Sequence, residues 1–245
     1  MYKDNFLKIW VVVVGLTVVM FEADAQSKAA DFTIRFKNTA NGKSLVLLDS
    51  TYKNTFGESY QVTKLKYYIS NIHLTGKQSN YKSKEVFLLN AAGSDSATFQ
   101  LKPGIYTELR FMLGVDSILN CSGAQDGALD PLNGMFWTWN SGYVYFKMEG
   151  YSTSSTADLQ RIEHHIGGYR GINKADRQIE LRLKEPIVIK DGDTKAIFIQ
   201  VDLDKYWQGK SDIKIAENAL IMVPGELAKK SADNFSGMFS IIGIK

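Results

Sequence analysis

Polar and apolar positions alternate along much of this chain. Phe32, Ile34 and Phe36 interleave with Thr33, Arg35 and Lys37, and Ile179, Leu181 and Leu183 interleave with Glu180, Arg182 and Lys184. A period of two sends every second side chain to the same face, so each run predicts a strand with one face buried. The segment 60–75 is rich in β-branched and aromatic residues and has no Gly or Pro, which predicts one long strand. Short apolar runs at 86–89, at 105–113 after the Pro103-Gly104 turn signal, and at 187–189 and 197–203 on either side of Asp191-Gly192-Asp193 predict further strands.

Three stretches depart from this pattern. Residues 117–134 are polar and rich in Gly, Asp and Asn, which predicts a long loop. Residues 152–157 form a Ser/Thr cluster, read as a surface loop. Residues 224–235 place Pro224 at a first turn ahead of Glu226, Leu227, Ala228, Lys229 and Lys230, which predicts a short helix near the C-terminus. Closely spaced strands without crossover helices predict an all-β fold, an antiparallel β-sandwich or a barrel-like single domain over residues 26–245.

The first residues carry a different signal. Lys3 and Lys8 precede the apolar run 9–21, and Ala23-Asp24-Ala25 supplies a small-x-small cleavage pattern. This reads as a cleavable export signal over residues 1–25 and predicts a periplasmic or secreted protein. The run is shorter than the roughly 20 apolar residues of a membrane span, so no membrane association is expected after cleavage. Cys121 is the only cysteine, so no internal disulfide can form. The net charge of +3 is spread along the chain without a Lys/Arg cluster, which argues against nucleic acid as a partner.

Candidate chemistry is sparse. The only histidines are His73, His164 and His165. As neighbours in a strand, His164 and His165 would point to opposite faces, His164 with Ile162 and Ile166, and His165 with Glu163. His73, between Ile72 and Leu74, is expected to face solvent. Trp137 and Trp139, two apart, would share a strand face, either as core anchors or as the wall of a site. Asp116, Asp126 and Asp130 offer oxygen ligands for a hard cation such as calcium, although their spacing is not that of an EF-hand. No nucleophile elbow, HExxH, phosphate loop or CxxC occurs, which argues against an enzyme.

The block GMFWTWNSGY at 134–143, with LDP upstream and KMEG downstream, together with HIGG at 165–168, YYISN at 67–71 and LGVD at 113–116, resembles the MbnP family of copper-binding proteins, whose relatives include MopE and CorA. The resemblance spans about residues 32–240. It implies an exported, non-catalytic β-domain that binds copper through His165 and His164, and Met135 or Met148 could add a soft thioether donor. It further implies that Trp137 or Trp139 lines the site and is open to oxidation to kynurenine by a partner di-haem enzyme of the MbnH type. Some copper-binding relatives place a histidine two residues after the modified tryptophan, and if Trp137 is the modified residue, Trp139 stands at that position here. The competing expectation is a metal-free structural or adaptor domain that keeps only the fold.

Overall fold

The computed structural model describes residues 28–123, 125–138 and 141–245, with the backbone alone of residue 138. The export signal and Trp139 therefore lie outside the described residues. Strands dominate and gather into two sheets. The first contains β1 (Ala30–Ala40), β2 (Lys43–Ser44), β7 (Ser96–Leu101), β13 (Thr194–Asp202) and β15 (Phe239–Ile244). The second runs in the order β12 (Arg177–Ile189), β8 (Gly104–Leu113), β4 (Ser59–Thr75), β10 (Gly142–Tyr151), β11 (Arg161–Gly167) and β14 (Leu220–Ile221). The short strands β3 (Thr51–Lys53), β5 (Asn80–Lys82) and β6 (Phe87–Asn90) pair with β4, and β9 (Phe136–Thr138) pairs with β10.

The sheets face each other as a sandwich, and among the described residues neither closes into a barrel. Most pairings are antiparallel, but β1 with β13 and β11 with β14 run parallel, so both sheets are mixed. The two apolar runs at 179–183 and 187–189 belong to one strand, β12, whose pairing with β8 shifts register between Arg182 and Ile187. Pro186 lies in that break, where no ladder donor is needed. The segment 117–134 holds a short helix, α1 (Ser117–Cys121), and two 3-10 turns rather than loop alone. The C-terminal helix is α3 (Glu226–Asp233), flanked by the single-turn helices α2 (Asp204–Trp207) and α4 (Phe235–Met238). No helix of the described residues is long and apolar enough to cross a membrane.

The sandwich is held by apolar side chains that the alternation sends inward. Phe32, Ile34 and Phe36 of β1 are buried. The Phe36 ring meets Tyr67 of β4 at 6.3 Å, Phe111 of β8 at 5.9 Å and Phe239 of β15 at 6.5 Å, all edge-on. Edge-on contacts place the positive rim of one ring on the negative face of the next and add to the burial gain.

Strand β4 is the spine of the second sheet, and it keeps its inward phase by bulging twice. Tyr60 and Val62 point inward, then Leu65, Tyr67 and Ile69, then Ile72 and Leu74. One extra residue intervenes at each change of phase. The first change matches the register shift against β10 at Gly150, the second the shift against β8 between Ser70 and His73. Asn71 takes up the second bulge at φ 49°, a left-handed conformation that asparagine tolerates better than most residues. Gly150 is required at the first: a methyl there would stand 1.9 Å from the Gln61 carbonyl oxygen.

Replacing Phe36 by alanine removes the ring at the centre of this interface and is expected to cost about 3–5 kcal/mol. Arg35→Ala, on the exposed face of the same strand, is expected to change stability by less than about 0.5 kcal/mol. Urea denaturation of the two variants checks the contrast.

Candidate functional site

Strands β10 and β11 carry the candidate residues. Their register sets Met148 opposite His164 and Lys147 opposite His165. Adjacent residues of a strand face opposite ways, so the first pair lies on the core side and the second on the outer side of the sheet.

His164 is fully buried beneath α2. Its Nδ1 lies 2.7 Å from the Tyr206 hydroxyl and its Nε2 2.7 Å from the Asn218 carbonyl oxygen. A carbonyl can only accept, so Nε2 carries the hydrogen and Nδ1 accepts from the phenol. Burial holds the ring neutral by pushing its pKa down to about 4, against the opposing pull of the Asn218 bond. With both nitrogens engaged, His164 turns no lone pair toward a metal. The resemblance implied it as a ligand, and the packing gives it a core role instead.

His165 sits on the outer face, 9% exposed. Its Nε2 lies 2.9 Å from Oε1 of Glu149. Burial lowers its pKa, with the positive charge of Lys147 adding to the effect and Glu149 opposing it, so the ring is neutral near pH 7. The carboxylate can only accept, which puts the hydrogen on Nε2 and the lone pair on Nδ1. No described residue hydrogen-bonds to Nδ1. Burial works to raise the Glu149 carboxyl, but hydrogen bonds from Lys64 (2.6 Å) and His165, with Lys147 nearby at 3.4 Å, hold it below its ordinary value.

Trp137 stands beside this face. Gly167, two residues beyond His165 and on the same side of β11, supplies the room: a methyl there would come within 2.8 Å of the Trp137 ring and 2.4 Å of the Tyr143 carbonyl oxygen. Trp137 is half-buried and packs against the core, as an anchor would. The turn before β9 is tied down by two lysines from the same face. Lys66 Nζ donates to the Asn133 carbonyl at 3.0 Å, and Lys147 Nζ to the Gly134 carbonyl at 2.7 Å. Met135, next in the chain, is buried, and its carbonyl accepts from the Val144 amide at 2.8 Å.

Two acidic residues, one just before the 117–134 segment and one within it, shape its backbone. Asp116 caps α1 by accepting from the Ile118 amide at 2.8 Å, and Asp130 caps the following 3-10 turn by accepting from the Leu132 amide at 2.8 Å. Asp126 is exposed and makes no cap bond. Among the described residues no three His, Cys, Asp or Glu side chains come together as a metal-holding group. The calcium arrangement expected of Asp116, Asp126 and Asp130 is therefore not formed. His73 lies half-buried on β4 rather than facing open solvent. Two residues that sequence reasoning passed over, Tyr206 and Trp207, are fully buried against His164. Their signal was the pair of adjacent aromatics directly after Asp204-Lys205.

The family model described as MbnP matches residues 29–224. Among solved structures, MbnP from Methylosinus trichosporium matches with a TM-score of 0.55 at 15% identity, over 87% of this chain and 98% of that one. At that identity the likeness carries the fold alone. No curated protein sequence matches the chain.

The His164 environment contributes one defined part of the pH dependence of metal-free stability. The unfolded chain takes up a proton near the ordinary value of 6.5, while the folded chain refuses it until about 4. Stability is full above that window and falls as pH drops through it, by up to roughly 3 kcal/mol. Urea midpoints taken from about pH 7.5 down to about pH 4 are expected to fall more steeply for the native sequence than for His164→Gln. Gly167→Ala is expected to push Trp137 outward, red-shifting its fluorescence and costing about 1–3 kcal/mol.

Proposed function

The chain belongs to the MbnP family, and we propose that it is an exported, non-catalytic copper-binding protein in which His165, not His164, is the imidazole ligand. The observation that carries this is the state of the His165 ring. Glu149 holds the hydrogen on Nε2 and turns the Nδ1 lone pair away from itself. A carboxylate behind a histidine is the usual support of a metal-binding imidazole, since it fixes the tautomer and raises the ring's basicity.

The donor chemistry suits copper. Imidazole accommodates both of its oxidation states. Trp137 on the same face would wall the ion from solvent, and Met135, close before Trp137 in the chain, would be its thioether donor. Copper held there would have its geometry and redox state set by few protein donors. Oxidation of Trp137 or Trp139 to kynurenine by a di-haem partner enzyme of the MbnH type would add a carbonyl and an amine beside the imidazole. We place the protein in the periplasm or outside the cell, on the strength of the signal at residues 1–25.

The competing reading, a metal-free adaptor domain, is supported by His164, whose two ring nitrogens are both spent on protein partners. Titration of the mature protein with Cu(I) and Cu(II) separates the two. On the copper reading, His165→Ala abolishes binding, His164→Gln retains it, and Glu149→Gln weakens it by about 10–100-fold. Native protein that takes up no copper, or binding indifferent to His165→Ala, overturns the copper reading. Peptide mass mapping across residues 134–148 reports in the same sample whether either tryptophan is modified.

A further inference from the structure

Beneath the sheet, on the side away from His165, four aromatic rings form a continuous file. Tyr52 and Tyr60 stand 5.8 Å apart between centroids, Tyr60 and Trp207 5.0 Å, and Trp207 and Tyr206 5.3 Å. The outer end is Tyr52, whose hydroxyl bonds to the backbone of Val46, in a stretch where Val46 and Leu48 are exposed. The inner end is Tyr206, fully buried and bonded to Nδ1 of His164.

The members of the file differ in one property. A phenol or indole that loses an electron becomes a strong acid, and its oxidised form persists only if a base stands ready to take the proton. The buried Tyr60 hydroxyl has the Trp207 indole as its polar neighbour, and an indole N–H only donates, so neither group faces a base that could take its proton. Tyr52 faces only peptide groups, which are poor bases. Tyr206 alone in the file faces an imidazole lone pair, at 2.7 Å. The proton-shifted state would also be fully bonded, with His164 Nδ1–H donating back to the Tyr206 oxygen and Nε2–H still donating to Asn218.

We propose that Tyr206 is a redox-active tyrosine, oxidised reversibly by one electron through Trp207 and Tyr60. A high-potential metal-complex oxidant at the surface, of the ruthenium(III) polypyridyl class, accepts the electron and is reduced to its metal(II) state. The proton moves from the Tyr206 oxygen to Nδ1 of His164, and no other bond forms or breaks. Return of one electron from a reductant sends the proton back. Tyr60 and Trp207 act as transit stations and Tyr206 as the store, which would keep oxidising equivalents off the rest of the core. The proposal does not depend on copper.

Flash oxidation of the metal-free mature protein with photogenerated tris(bipyridyl)ruthenium(III), persulfate being the terminal acceptor, tests it. The expected result is a long-lived tyrosyl signal in electron paramagnetic resonance. Tyr206→Phe and His164→Gln should each lose that component while keeping the short-lived signal of exposed tyrosines such as Tyr151. Trp207→Phe should slow its appearance. A long-lived signal of unchanged size in Tyr206→Phe overturns the proposal. Should that variant fail to fold, difluorotyrosine at position 206 decides: an altered hyperfine pattern supports the assignment, and an unaltered one refutes it.

Discussion

The register between β10 and β11 is the constraint on which the chemistry of this molecule rests. Because side chains alternate across a strand, a slip of one residue would bring His165 into the core and put His164 on the outer face. Several features hold the register. The backbones approach so closely at Gly167 and Tyr143 that no side chain fits between them. Both nitrogens of His164 are engaged at 2.7 Å. The parallel pairing of β11 with β14 fixes the far edge. A buried polar group that loses its partners is costly, so the two bonds of His164 penalise any alternative register more than they stabilise this one.

Much of the fold was legible in the sequence, because alternation is the direct imprint of a half-buried strand. It was most readable in β1, where Phe32, Ile34 and Phe36 strictly alternate with polar neighbours. It was least readable in β4, where two bulges restart the period and the buried positions no longer follow a single parity. The parallel pairings left no local trace, since they join segments far apart in the chain: β1 meets β13 across more than half its length. The caps were readable in principle. Asp130 ahead of Pro131 is a helix-start signature, and it accounts for the carboxylate without a cation.

The candidate site was legible only in part. The strand period separates His164 from His165, and the company of Ile162 and Ile166 marks His164 as the inward one. Family likeness pulled in the other direction and grouped the two rings as ligands. The sequence is silent on Tyr206 and Asn218, which lie roughly 40 and 50 residues further along the chain and decide what His164 can do. Glu149 likewise acquires its role only when β10 is folded against β11.

The two histidines show why residue type alone does not define a metal site. Each donates Nε2–H to an oxygen that can only accept, so each presents its lone pair at Nδ1. What differs is the group beyond that lone pair. For His164 it is a phenol hydrogen, which makes the ring a proton acceptor within the core. For His165 no described residue supplies a donor, and the ring keeps the capacity to bind a cation. The same tautomer, set by the same kind of contact on opposite sides of one strand, thus leads to two distinct chemistries, and the partner at Nδ1 divides them.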